Sequence, residues 1–199
     1  MKEAIAIIPA RSGSRRIKSK NIRNFHGNPI IAYSIKAALR AEIFEEVLVS
    51  TDEETIGHIA VAHGATWHRR PVQLAEDSVG TQEVTREAIL FQIALGGISD
   101  WPKYACCIYP CAPMLDAGVL RQAFDLLIEK NADYVVPVAT WLRDPAQFYF
   151  GRSQAFIDKA PLIGPNTIMH WIDPATECDI NIEQDWLMAE KMFALRAAR

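Results

Sequence analysis

Apolar and polar positions fall into blocks of alternating period, and the blocks predict strand and helix in turn. Residues 4–8 form a short, continuous apolar run, as expected of a strand covered on both faces. Asn28 and Pro29 then supply a cap and a proline at a first helical position, followed by Ile30, Ile31, Tyr33, Ser34, Ala37, Ala38 and Ala41 at helical spacing. Residues 46–50 predict a second strand, and Asp52 is placed to cap a helix over residues 53–63. A short strand near 65–68, a helix over 81–95, a strand over 104–109, a helix over 116–130 and a strand over 134–138 continue the series. Beyond Val138 the pattern is less regular. Residues 148–150, 168–172 and 180–182 are short strand candidates, and residues 183–197 read as an amphipathic helix through Trp186, Leu187, Glu190 and Phe193.

Strands separated by helices predict an α/β domain: a three-layer, doubly wound, mainly parallel sheet of Rossmann type, spanning residues 1–199 as one unit. Such sheets bind ligands beyond the carboxyl ends of their strands. The polar segments to search are therefore 9–27, Ser50-Thr51-Asp52, 69–80 and 110–113.

Charge singles out the first of these. The chain has 21 basic and 24 acidic residues, a formal charge of -3. Arg11, Arg15, Arg16, Lys18, Lys20 and Arg23 crowd one loop after the first strand, and no acidic residue lies between Ala4 and Ala41. The loop is neither GxxxxGK nor GxGxxG, since Arg11-Ser12-Gly13-Ser14 has one glycine. Its small residues still let backbone N–H groups approach an anion, so phosphate binding competes with a merely solvated basic loop. Excess acid elsewhere and few interleaved aromatics argue against nucleic acid. No apolar run approaches the roughly 20 residues that span a bilayer, and the N-terminus lacks a signal-peptide pattern. A cytoplasmic protein is expected. Cys106, Cys107, Cys111 and Cys178 lack CxxC spacing and are expected as reduced, buried thiols. The five histidines show no metal-ligand spacing; His68 and His170 are candidates for a cleft.

The stretch IIPARSGSRRIKSKNI resembles the N-terminal signature of the cytidylyltransferases that activate nonulosonic acids, the CMP-sialic acid synthetase family. VSTDEE at 49–54, RRP at 69–71, CCIYPCAPML at 106–115, AQFYFG at 146–151 and DINIEQDW at 179–186 agree in order, the CCIY…AP and QFYFG pieces being most similar to the pseudaminic acid branch. The resemblance implies transfer of CMP from CTP to the anomeric hydroxyl of a nine-carbon keto sugar acid, with Mg²⁺ as cofactor. It implies that Arg11 and Lys20 contact phosphates, that Ser14 and Asn21 hold the nucleotide, and that Arg15 or Arg16 supplies the second basic position. Arg70 corresponds to a nucleotide-side residue, against the simpler reading of a surface arginine. Gln147, Phe148 and Tyr149 are the implied sugar-pocket residues.

Asp179 and Asn181 are the implied metal ligands, because a two-residue alternation points both to one side of a strand. The family usually has Asp at both positions; an Asn ligates without charge. A strand end that caps the last helix, with Glu183 or Asp185 as its N-terminal acids, is the structural alternative. Residues 139–146 are also shorter than the excursion that relatives use for dimer contacts and for closing over the sugar, the segment near 139–150 being either truly shortened or incomplete, so a homodimer is an expectation only. Two other functions stay open: a nucleotidyltransferase for another sugar, such as 3-deoxy-manno-octulosonate, and a catalytically silent nucleotide-binding relative.

Overall fold

The computed structural model describes residues 3–13, 16–76, 78–96, 102–140 and 144–197. Its frame is a seven-stranded mixed sheet. Strand β1 (Ala4–Pro9) lies in its interior, parallel to β4 (Phe44–Thr51) on one side and to β6 (Tyr104–Ile108) on the other. β5 (Thr66–Arg69) extends the first side in parallel. On the second side β8 (Phe148–Arg152) runs antiparallel between β6 and β7 (Tyr134–Val138), and β9 (Thr167–Trp171) closes that edge parallel to β7. The sheet order is therefore β5-β4-β1-β6-β8-β7-β9.

Strand β1 shows why the sequence run is unbroken. Ala4, Ala6 and Ile8 enter a core with helices α1 (Ile31–Ala41), α2 (Glu54–Ala62) and α4 (Ala117–Glu129), whereas Ile5 and Ile7 enter a second core with α3 (Thr81–Gly96) and α5 (Ser153–Ile157). A strand buried on both faces has no polar position to spare. A third apolar cluster lies at one end: Ile17, Phe25, Ile30, Met114, Ile180 and Trp186 join the basic loop to the final helix α6 (Glu183–Ala197). Among the described residues, no helix is long and apolar enough to cross a membrane.

Three local expectations are corrected. Asn28–Pro29 forms strand β3, paired antiparallel with β2 (Asn24–Phe25); α1 starts after Ile30 without a side-chain cap. Asp52 does not cap α2, whose N-cap is Glu53. Residues 180–182 are not a strand, because the N–H groups of Asn181 and Ile182 donate to Asp185 Oδ2 at 2.8 and 2.9 Å and so have no sheet partner. Asp185 thereby acts as the N-terminal acid of α6, closing its first turn in the manner of a capping box. Helix α4 (expected over 116–130) begins one residue later, with Asp116 as its N-cap accepting from Gly118 N at 2.7 Å.

Candidate active site

The chain passes from β1 through α1 to β4 on one side, and later returns to β6 on the other side of β1. This reversal opens a crevice beyond the carboxyl ends of β1 and β6, the usual ligand position in an open α/β sheet. A cleft of about 430 Å³ occupies it. Arg11, Arg16, Lys20 and Asn21 of the basic loop form one wall. Tyr109 and Cys111, which follow β6, and Thr81, the first residue of α3, form another. Asp179 and Asn181 close the third side.

Backbone and side-chain ties hold the basic wall. Asn21 Nδ2 donates to the Arg11 carbonyl at 3.0 Å, while Cys111 Sγ donates to Asn21 Oδ1 at 3.3 Å. Lys20 Nζ donates to the Ile180 carbonyl at 2.7 Å, bridging the loop to the acidic segment. Asp52 accepts from Ser12 N at 3.2 Å and from Ser12 Oγ at 2.8 Å. Its expected capping role is replaced by an anchoring one: a carboxylate at the end of β4 fixes the start of the loop. Arg23 pairs with Glu183 at 2.6 Å and stacks over the Trp186 ring at 4.3 Å, which pins the far end of the loop to α6.

The acidic wall keeps the alternation expected of it, although it is not a strand. Cys178 and Ile180 are buried, at 8% and 2% exposure, Asp179 is exposed and Asn181 half-buried, and all four border the cleft. Among the described residues no group of three or more His, Cys, Asp or Glu side chains is placed to hold a metal.

Arg70 is not a surface arginine. It is buried, and its Nη2 and Nε donate to the carbonyl and hydroxyl of Ser50 at 2.5 and 3.2 Å. Desolvation lowers its pKa to about 10, with Asp52 and Glu87 countering and Arg11 adding to the fall. It thus stands behind the cleft, supporting β4. His68 is likewise buried behind the wall: it bonds Glu87 at 2.8 Å and packs on Phe91. His170 is half-buried on edge strand β9, where burial lowers its pKa. Neither lines the cleft.

The three sugar-pocket expectations separate. Phe148 is fully buried among the α1/α4-side core residues, since strand alternation sends Phe148 and Phe150 to one face and Tyr149 to the other. It takes no part in the cleft wall. Gln147 is buried and donates to the Thr176 carbonyl at 2.6 Å, while its own carbonyl accepts from Tyr109 N at 2.8 Å. Tyr149 reaches the cleft indirectly, with its hydroxyl 3.3 Å from that of Tyr109. Ser14 and Arg15 lie outside the described residues, so Arg16 is the described candidate for the second basic position.

All four cysteines are buried and unpaired, matching the expectation of reduced thiols. Burial pushes Cys107 up to about 11 and Cys111 and Cys178 up to about 12. Sequence reasoning missed Tyr109 and Thr81 as wall residues. Tyr109 is the residue after β6 and was counted into the strand; its position at a strand's carboxyl end was the available signal.

Comparison with known proteins adds independent support. A cytidylyltransferase family model matches residues 5–157. The pseudaminic acid cytidylyltransferase of Campylobacter jejuni is 30% identical over 95% of this chain and 95% of its own. That alignment spans 224 positions against 199 residues here, so the relative carries insertions. The N-acylneuraminate cytidylyltransferase of Escherichia coli is 38% identical over 61% of this chain and 27% of its own. Among solved structures, a CMP:2-keto-3-deoxy-manno-octonic acid synthetase complexed with CTP superposes with a TM-score of 0.76 over 98% of this chain and 99% of that one, at 13% identity. With a basic loop, a switch-point crevice and a family match across most of its length, the chain belongs to the cytidylyltransferase family.

Proposed function

We propose that the cleft binds CTP and a nonulosonic acid, pseudaminic acid first among them, and transfers CMP to the anomeric hydroxyl with release of pyrophosphate. The observation that carries this reading is the meeting of Arg11, Arg16 and Lys20 with Asp179 and Asn181 in one cleft at the switch point. A triphosphate needs the first set, and a cation that partly neutralises it needs the second. The similarity to the Campylobacter jejuni enzyme over nearly the whole chain supports the choice of sugar class.

In this reaction the sugar hydroxyl oxygen forms a bond to the α-phosphorus and gives up its proton to solvent, while the bond from the α-phosphorus to the β-phosphate oxygen breaks. No enzyme nucleophile is required. The chain's residues position the two reactants and stabilise charge that moves onto the leaving pyrophosphate. Arg11 and Arg16 supply planar forks suited to phosphate oxygens, and Lys20 supplies a compact charge. Asp179 and Asn181 would hold a hard cation such as Mg²⁺ through their oxygens. When bound, such an ion supplies Lewis-acid polarisation of the phosphoryl oxygens. Asn181 contributes an oxygen but no charge, so cation affinity rests mainly on Asp179. The reading is tested by pyrophosphate release from CTP and Mg²⁺ with pseudaminic acid as acceptor. Absence of release from folded protein that still binds CTP would favour a nucleotide-binding relative without turnover.

A further inference from the structure

The cleft wall that holds Tyr109 contains a hydrogen-bond chain whose direction is fixed at one end. Asp144 Oδ1 accepts from Ala146 N at 2.8 Å in a tight turn, and Ala146 itself has a positive φ of 49°. Asp144 Oδ2 accepts from the Tyr149 hydroxyl. A carboxylate only accepts, so the single proton of Tyr149 points toward Asp144. Burial and this bond raise the pKa of Tyr149, so the phenol keeps that proton. The 3.3 Å contact between the Tyr149 and Tyr109 hydroxyls then has one direction: Tyr109 donates. The rings meet edge-on, with centroids 5.7 Å apart, which holds the two hydroxyls together. With its only proton committed inward, Tyr109 has lone pairs alone to offer elsewhere. Tyr109 also lines the cleft, where a bound group can reach it.

We propose that Tyr109 is a specificity-determining residue that accepts a hydrogen bond from an O–H or N–H group of the acceptor sugar, and that Asp144 sets this polarity through Tyr149. This rests on the transfer reaction proposed above. A carboxylate of the acceptor cannot be received at this point, because two acceptors would face each other; it belongs on the basic side of the cleft. Asp144 and Tyr149 are positioning residues. They act on the ligand only through the proton of Tyr109.

Steady-state kinetics with CTP and pseudaminic acid test the assignment on the full chain. Tyr109→Phe removes the acceptor oxygen and is expected to raise KM for the sugar about 5–10-fold, with KM for CTP unchanged. Asp144→Asn places an amide N–H against Tyr149, which permits the chain to reverse and turn the Tyr109 proton toward the cleft. It is expected to raise sugar KM similarly, while the Tyr109→Phe/Asp144→Asn double variant is no worse than Tyr109→Phe alone. A purely structural role for Asp144 would instead give additive losses and raise KM for both substrates; that result overturns the proposal. Unchanged sugar KM in Tyr109→Phe overturns it too. A wild-type protein silent with the sugar would overturn the reaction itself and this role with it, whereas an active wild type with additive variants overturns the role alone.

Discussion

Replacing Lys20 with alanine separates chemistry from folding in this cleft. Lys20 is half-buried, and its ammonium makes one described hydrogen bond, 2.7 Å to the Ile180 carbonyl. Its loss leaves a carbonyl that water can reach through the open cleft, so the folding cost is about 1 kcal/mol. In a domain of this size that lowers Tm by roughly 2–4 °C. The effect on turnover is larger. A unit positive charge roughly 4 Å from a phosphate oxygen contributes about 4 kcal/mol at an effective dielectric constant of about 20. Only the part that grows as negative charge moves onto the pyrophosphate lowers the barrier. Taking about half to three quarters of it gives 2–3 kcal/mol, or a loss of roughly 30- to 150-fold in kcat. The assay is pyrophosphate release under saturating CTP and sugar, beside a thermal melt of the same preparation. A kcat within about threefold of wild type would refute the role of Lys20, and so would a loss of activity matched by loss of folded protein.

Other outcomes follow from the same contacts. Asp52→Ala frees Ser12 of both its bonds to that carboxylate, so KM for CTP should rise roughly 5- to 10-fold with little change in Tm; an unchanged KM would remove Asp52 from loop anchoring. Asn181→Asp adds a charge beside Asp179 and should lower the Mg²⁺ concentration for half-maximal activity, an effect absent if residue 181 does not approach the cation. Trp186→Ala empties a fully buried site shared with Phe25 and Arg23, costing about 3–5 kcal/mol and roughly 10 °C in Tm; a shift of under 2 °C would mean that α6 does not hold the loop. Burial lowers the pKa of His170, so its neutral form is favoured in the fold; the resulting stability is full above its ordinary value of 6.5 and is lost as pH falls through the lowered value. Urea midpoints for wild type and His170→Gln should therefore diverge at neutral pH and converge in acid, and parallel curves would contradict this.

The sheet was legible because its strands are buried on both faces and its helices are spaced by short polar turns. Tyr134–Val138 and Glu183–Ala197 match their expected bounds, and β1, β4, β5 and β6 differ from theirs by one or two residues at an end. The antiparallel insertion of β8 between β6 and β7 was not visible, since pairing direction leaves no trace in the apolar pattern of Phe148–Arg152. The same alternation that marked this strand also sent Phe148 into the core and left Tyr149 as the only one of its pair near the cleft. Arg11, Lys20 and Asn21 were legible by charge and placement, and the cleft brings them together with Asp179 and Asn181. Asp52 and residues 180–182 misled for one reason. A carboxylate near a helix start can serve several backbone N–H groups, and tertiary placement decides which. Asp52 turned to Ser12, whereas Asp185 took the N–H groups that a strand would have used.

The central claim is most directly tested by pyrophosphate release from CTP and Mg²⁺ with a panel of pseudaminic, legionaminic and N-acetylneuraminic acids and 3-deoxy-manno-octulosonate. Release with pseudaminic acid well above the other three is the predicted result. Release only with the eight-carbon acid, or none with any acceptor from protein that binds CTP, would contradict the account.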